Sequence, residues 1–345
     1  MQLKDIGEQG FLKIIQSFCP PEIVGDDGAV LADLVHKSLV VTTDLMVEEV
    51  HFSDRTTSPR DVGWRAAAAN LSDLAAMGAT PTAITVGLGL RRETAVSWLE
   101  ELYRGMTACL GKVPIVGGDV VSSAVNTVAI TAFGSVDPER VIRRGAAQVG
   151  DAIVITGAHG KSKAGLELLL FPDKYKILTE DPESCQDLIQ AHQRPQARLD
   201  VLPFLAEFPR VAGMDSSDGL ADAICQICRA SNVGATVDRH SLPIPPALLQ
   251  MTDPATALDW VLYGGEDFEL VLCLPWSEAQ LLVQKLGQTS AIIGRITAEA
   301  NILLSNELPK SAGINGATSC NTSFEKFSNL YLEKGFQHFQ SLTKT

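Results

Sequence analysis

Aspartates recur in this chain beside glycine or directly behind an apolar run: Gly25-Asp26-Asp27-Gly28, Thr42-Thr43-Asp44, Gly117-Gly118-Asp119, Asp215-Ser216-Ser217-Asp218-Gly219 and Gly264-Gly265-Glu266-Asp267. Each alone is an ordinary turn signal. Together with Asp73 they form an inventory of hard oxygen donors without Cys or His pairs beside them, which selects Mg²⁺ over zinc or copper. Mg²⁺ ordinarily takes one or two carboxylates and completes its shell with substrate phosphates and water, so several such ions in one place point to phosphoryl transfer.

The elements that must hold these groups are legible in part. Ser58-Pro59-Arg60-Asp61 predicts a helix start, with Ser58 as N-cap and Pro59 in the first helical position, and Met77-Gly78-Ala79-Thr80-Pro81 predicts its stop. Ala66, Asn70, Asp73 and Met77 then share one face. Asp73 lies on an alanine-rich, core-like stretch in the last turn, where the helix dipole opposes a negative charge by roughly 0.3–1 kcal/mol. A solvated aspartate is one reading, and a carboxylate held by a cation explains the position better. Strand signals at 39–43, 83–88, 113–116, 126–134 and 151–156 alternate with helix patterns, and the aspartates are expected at loop-like junctions between them.

The chain has 345 residues, which at roughly 100–200 per domain suggests two domains. The strongest punctuation, Val136-Asp137-Pro138-Glu139 and Arg143-Arg144-Gly145-Ala146, divides it into units 1–137 and 138–345 of an α/β or α+β protein. With 28 Lys and Arg against 41 Asp and Glu, the net charge of −13 repels nucleic acid and anionic lipid. Acids among the first eight residues replace the basic start of a signal peptide, and no stretch approaches roughly 18 uninterrupted apolar residues, so the expected location is cytoplasmic. The seven cysteines do not suggest a disulfide framework. Cys225 and Cys228 have C-x-x-C spacing, but Leu220, Ile224, Ile227 and Cys228 fall at helical spacing, so core packing is expected rather than a metal or redox site.

Segment 151–156 reads as a strand, Gly157-Ala158-His159-Gly160-Lys161-Ser162 as a glycine-rich turn and Lys163 onward as a helix, which imitates a P-loop. The spacing fails, because a Walker A motif ending at Gly160-Lys161-Ser162 needs glycine at 155, where Ile155 stands. A tight structural turn is the expected reading.

In this order the motifs resemble the thiamine-monophosphate kinase family, in the superfamily of aminoimidazole ribonucleotide synthetase, selenophosphate synthetase and the hydrogenase-maturation protein HypE. The resemblance runs from Gly7-Glu8-Gln9-Gly10-Phe11 through 25–31, Thr42-Thr43-Asp44-Leu45-Met46-Val47-Glu48-Glu49-Val50-His51-Phe52, Asn70-Leu71-Ser72-Asp73-Leu74-Ala75-Ala76-Met77-Gly78-Ala79 and Gly117-Gly118-Asp119. It continues at 215–220 and 264–270 and ends near Gly335-Phe336-Gln337-His338-Phe339. It implies a two-domain PurM-like fold, α/β (α+β), with an amino-terminal mixed-sheet domain for ATP, Mg²⁺ and dimerisation and a carboxy-terminal α+β domain completing the substrate site.

The resemblance also implies roles. Asp27, Thr42, Thr43, Asp44, Asp73, Asp119, Asp215 and Asp218 would hold a cluster of Mg²⁺ ions, while Tyr103, Gly118, Asp119, Arg143 and Ser217 would contact ATP. His51, Glu266 and Phe336 would hold thiamine monophosphate, with Glu266 paired to its cationic ring system and Phe336 stacked on it. From spacing alone, ordinary packing serves equally for Phe336 and a backbone-satisfied strand position for His51, whereas the glycines before Glu266 suggest backbone yielding space to a ligand. The family's R-S-G-A-K-P-G-D stands here as Arg143-Arg144-Gly145-Ala146-Ala147-Gln148-Val149-Gly150-Asp151, leaving open which arginine reaches ATP. The usual glycine after V-E is Glu49, a departure expected to matter little.

A phosphate acceptor with its second pKa at about 6 is mostly dianionic at neutral pH and needs no general base. The difficulty is repulsion among anions, which metal ions must bridge. The implied reaction is Mg²⁺-dependent in-line transfer from ATP, as co-substrate, to thiamine monophosphate by a homodimer, with neither nucleic acid nor membrane as partner. Two superfamily alternatives lack their cysteines: selenophosphate synthetase needs an early reactive one near a glycine-rich segment, but Cys19 lies before Pro20-Pro21, and HypE needs a terminal one, but the chain ends Lys344-Thr345. A non-catalytic nucleotide-binding protein on the same scaffold would bind Mg·ATP without turnover.

Overall fold

The computed structural model describes residues 29–34, 36–175, 181–287, 289–306 and 327–330. In chain order the strands are β1 (Ala29–Leu34), β2 (Lys37–Val47), β3 (Thr80–Leu90), β4 (Ile115–Ser122), β5 (Thr127–Val136), β6 (Ala152–Ile155), β7 (Ala212–Asp215), β8 (Gly234–Asp238), β9 (Leu270–Leu274), β10 (Ala291–Thr297), β11 (Ile302–Ser305) and β12 (Phe327–Asn329). The α-helices are α1 (Pro59–Ala76), α2 (Val96–Leu110), α3 (Lys161–Leu170), α4 (Pro182–Gln193), α5 (Leu202–Leu205), α6 (Leu220–Ser231), α7 (Pro246–Met251), α8 (Pro254–Tyr263) and α9 (Trp276–Leu286). None of the described helices is long and apolar enough to cross a membrane.

Two mixed sheets organise the chain. The first has order β1-β2-β5-β3-β4, antiparallel except for the β3–β4 pair. Strict alternation along β5 turns Val128, Ile130, Ala132 and Val136 inward, against α1 and α2. The second sheet, β12-β11-β8-β10-β6-β9-β7, is covered on both faces, so β6, β7 and β9 are buried throughout.

Helix α1 lies between the sheets and belongs to both cores. Ser58 caps it as expected: its Oγ accepts from Asp61 N at 3.3 Å and donates to Asp61 Oδ2 at 2.6 Å. The stop follows at Met77, with Gly78 at φ 73°. Ala66, Leu71 and Leu74 pack on the first sheet, whereas Ala75 and Ala76 pack with Val201, Leu205, Leu270 and Leu272 of the second half. Backbone also comes close between α1 and α2. A Cβ on Gly63 would overlap Leu102 O of α2, and one on Gly105 would overlap Arg60 O of α1.

Three expectations about local structure change. Asp44 lies inside β2 and Asp119 inside β4, so neither is at a loop junction. Strand β4 begins at Ile115 and continues through Gly117 and Gly118, because a Cβ at 118 would overlap Val86 O in parallel β3; glycine there permits strand pairing. Helix α3 starts at Lys161 rather than Lys163, with Gly160 at φ 91° before it. Glu49 adopts φ 64°, the left-handed region that favours glycine, so its departure from the family pattern carries a backbone cost. Cys225 and Cys228 pack in the core as expected, their thiols pushed up to about 11 and about 12 by burial.

Candidate functional site

Carboxylates from the two halves meet where α1 crosses the end of β7. Asp73 accepts a short hydrogen bond from Thr42 Oγ1 on β2. On the same strand Asp44 N donates to Asn70 Oδ1 at 3.2 Å, and Asn70 Nδ2 is anchored on Ala66 O at 3.0 Å. Asp215, 1% exposed at the last position of β7, accepts from Ser72 Oγ at 2.6 Å and Ser217 Oγ at 3.1 Å. Burial first, and the charge of Asp215 second, push the Asp44 carboxyl up to about 6, although a hydrogen bond with Asp73 lowers it. Burial also raises Asp215, against the hydroxyls of Ser72 and Ser217 and the charge of Arg144. These residues fit a hard divalent cation: the donors are all oxygen, and the raised carboxyls of Asp44 and Asp215 are what a nearby cation would relieve. Among the described residues no three acidic, imidazole or thiol groups already stand as a metal cluster.

A second constellation adjoins the first through Ser217. Its carbonyl accepts from Glu266 N at 2.7 Å, and Glu266 takes a left-handed φ of 57°. The Glu266 carboxylate pairs through Oε1 with Arg65 Nη2 at 2.5 Å, and Oε2 lies 3.8 Å from His192 Nδ1. Partial burial pushes the Glu266 carboxyl up, but Arg65, His192 and His51 together hold it below the usual range. Arg65 also donates from Nη1 to the His51 carbonyl at 2.9 Å. His51 lies in the turn after β2, not in a strand, and its Nδ1 accepts from Val47 N at 3.0 Å, which leaves the ring proton on Nε2.

Three of the five nucleotide candidates gather at the edge of the first sheet, while Arg143 and Ser217 lie beside β7. Tyr103 on α2 and Gly118 and Asp119 on β4 line one open cavity of about 470 Å³ with Val86, Ile115, Gly117 and Val120. Two of the remaining metal candidates, Thr43 and Asp119, stand apart from the Asp44–Asp73–Asp215 group in this chain. Thr43 alternates to the outer face of β2, where its hydroxyl meets Thr131 Oγ1 at 2.8 Å. By register Asp44 aligns with Ile130, Val86 and Gly118, so β4 stands three strand spacings away, roughly 14 Å. Asp119 falls in the next row with Leu45, Ala129 and Gly87, on the face that carries Thr43. Asp218 follows Ser217 in the β7–α6 turn. Arg143 is exposed beside Ala212 of β7, whereas Arg144 acts on Asp215 through its charge. Asp27 and Phe336 lie outside the described residues.

The glycines before Glu266 have a different cause from the one expected. A Cβ on Gly265 would come within 2.8 Å of Ser217 O, and one on Gly264 would overlap Trp260 O, so the space goes to neighbouring backbone. The P-loop-like turn is likewise filled from within: Asp267 accepts from Gly160 N at 2.7 Å and Ser162 N at 2.9 Å, taking the place an anionic ligand would need. Arg65, Asn70 and Ser72 are buried partners of the site that the motif reading did not single out. Their signal was available: polar side chains recurring along a helix otherwise rich in alanine.

Two mixed sheets that share one helix, with acidic side chains from both halves meeting at their seam, define a two-domain α/β scaffold. Residues 25–136 match AIR synthase related protein, N-terminal domain, and residues 148–304 match AIR synthase related protein, C-terminal domain. The thiamine-monophosphate kinase of Synechococcus elongatus is 47% identical, over 98% of this chain and 98% of its own length. That of Prochlorococcus marinus is 38% identical over 84% of this chain and 88% of its own. A solved structure, AaThiL complexed with AMPPCP and TMP, superposes with a TM-score of 0.77 at 27% identity, covering 98% of this chain and 99% of that one. The chain belongs to the thiamine-monophosphate kinase family of AIR synthase related proteins.

Proposed function

We propose that this chain transfers the γ-phosphoryl group of ATP to the phosphate of thiamine monophosphate, giving thiamine diphosphate and ADP. The observation that carries the reading is the meeting of Asp44 and Asp73 with Asp215 at the interdomain seam. The family supports it, as does the relative complexed with AMPPCP, a methylene-bridged analogue of ATP, and TMP.

Thr42, Asp44, Asp73, Asp215 and Asp218 would hold Mg²⁺, with Asp27 as a further ligand, while Thr43 and Asp119 would act on ions away from the Asp44 face of the sheet. When bound, the ions would supply neutralisation between the carboxylates and two phosphate anions, in a transfer that depends on positioning and charge. Tyr103, Gly118, Asp119, Arg143 and Ser217 would line the nucleotide. His51 would present its Nε2 proton to the acceptor, Glu266 would face the thiamine cation, and Phe336 would stack on its ring. The acceptor phosphate is its own nucleophile, so no side chain is assigned as general base.

The division at 137/138 and a cytoplasmic location belong to the same reading. A homodimer through the amino-terminal unit is supported by the exposed aliphatics Leu45, Val116, Val120 and Val121 on the first sheet. Purified protein given ATP, Mg²⁺ and thiamine monophosphate should release thiamine diphosphate and ADP in equal amounts. No product above a no-enzyme control would overturn the assignment.

A further inference from the structure

Arg65 is 2% exposed on an alanine-rich turn of α1, where an aliphatic side chain would pack without desolvating a charge. Its guanidinium spans three acceptors on two segments: His51 O at 2.9 Å and Thr57 Oγ1 at 3.3 Å in the β2–α1 connection, and Glu266 Oε1 at 2.5 Å. Its Nε is buried without a hydrogen-bond partner among the described residues. A buried ion pair with an unsatisfied donor is a poor source of stability, so the fork is better explained by what it holds in place. What it holds is the backbone of His51 from the first half and the carboxylate of Glu266 from the second.

The Glu266 geometry shows what this achieves. Oε1 is committed to Arg65, whereas Oε2 stands 3.8 Å from His192 Nδ1, beyond hydrogen-bond distance, and the side chain is 38% exposed. One oxygen is therefore fixed and the other is presented. Burial and Arg65 lower the His192 pKa to about 4, so near neutral pH Arg65 is the charged group in direct contact with this carboxylate.

We propose that Arg65 is a positioning residue for the acceptor substrate: its planar fork locks His51 and Glu266 in one relative geometry across the seam and aims Glu266 Oε2 at the acceptor's cationic ring. This rests on the reading of His51 and Glu266 as acceptor contacts. Lysine keeps the charge but, as a compact ammonium, does not reproduce a rigid fork reaching three acceptors.

The test is steady-state kinetics with each substrate varied in turn on Arg65→Lys, Arg65→Met and Glu266→Gln, with the melting temperature of each variant measured. Arg65→Lys should raise the KM for thiamine monophosphate about tenfold or more, the scale of one lost charge-assisted hydrogen bond, and leave the KM for ATP within about twofold. Combining it with Glu266→Gln should cost little beyond the worse single change, because both remove one coupled unit. A folded Arg65→Lys with unchanged acceptor KM, or with both KM values raised equally, overturns the proposal. If Glu266→Gln weakens the acceptor and Arg65→Lys does not, the positioning role alone falls. If Glu266→Gln leaves the acceptor KM unchanged, the assignment of Glu266 as a contact falls, and the proposal with it. Should Arg65→Met fail to fold, Arg65→Lys still decides.

Discussion

Ser72 on α1 donates a 2.6 Å hydrogen bond to Asp215 Oδ2 at the end of β7, joining residues 143 positions apart. Both are buried, at 0% and 1% exposure, so the bond forms away from solvent and ties the helix of the first sheet to a strand of the second. It also favours the ionised form of a carboxyl that burial pushes up. The seam and the candidate metal site are thus one structure.

Ser72→Ala removes that donor and leaves Asp215 with Ser217 as its remaining hydroxyl partner. The loss of a buried bond to a charged group should destabilise the protein by about 1.5–3 kcal/mol. The Asp215 carboxyl should rise further, so ionising it would call for more cation. A Mg²⁺ titration of initial rate should show a higher half-saturating concentration than wild type; an unchanged titration would dissociate Ser72 from the metal site.

Asp44→Asn separates stability from activity. The wild-type carboxyl sits at about 6 because burial and Asp215 oppose its charge, so removing the charge relieves strain of up to about 3 kcal/mol. In chelator the variant should melt higher than wild type, while turnover with Mg²⁺ falls at least about a hundredfold, as expected for a lost metal ligand. Added Mg²⁺ should raise the wild-type melting temperature more than the variant's, since only a ligand bound to the native state shifts it. A variant that melts lower in chelator and turns over normally would remove Asp44 from the site.

What was legible beforehand was local. Ser58 and Pro59 announced α1 because capping is decided within one turn, and alternation announced the cores of β2, β3 and β5. Asp73 stood out as a charge on an alanine face. Pairing across the chain was not legible: Arg65 finds Glu266 across 201 positions, and Gly160 finds Asp267 across 107. The same limit explains Asp119, which a Gly-Gly-Asp triplet placed in a turn. Only the neighbour strand β3 reveals those glycines as the means of fitting an edge strand against Val86.

Glu49→Gly should stabilise the protein. Residue 49 holds φ 64° in a turn closed by Glu49 N donating to Phe52 O at 2.8 Å, and a side chain there costs about 1 kcal/mol or more in backbone strain. Glycine's greater freedom in the unfolded chain offsets part of this, leaving a net gain of about 0.5–1 kcal/mol. Chemical denaturation should show a higher midpoint with an unchanged slope, and kinetics should be unaltered because the turn carrying His51 keeps its shape. A lower midpoint would mean that Glu49 makes compensating contacts in solution.

His192 gives stability a pH dependence whose sign can be worked out. Burial first, then the charge of Arg65, lower its pKa to about 4 from 6.5, and Ser162 Oγ lies 3.3 Å from its Nδ1. Between those two values the unfolded chain binds a proton that the folded protein does not, so unfolding free energy rises with pH across the window. Each such group contributes a slope of up to about 1.4 kcal/mol per pH unit, and the contribution fades below the folded pKa, where both states are protonated. His159, 1% exposed and also lowered to about 4, adds a slope of the same sign. Asp267 acts oppositely: burial raises it to about 7 from 3.8, so its contribution declines as pH rises through that range. Asp44, Asp215 and Glu269, also raised by burial, act in the same sense as Asp267, so the net slope is a balance. His192→Gln should make the slope of unfolding free energy between pH 4.5 and 6.5 less positive than wild type's, by roughly one proton's worth. Denaturant melts at half-unit pH steps would measure it, and parallel curves for the two proteins would show that His192 is protonated in the folded state.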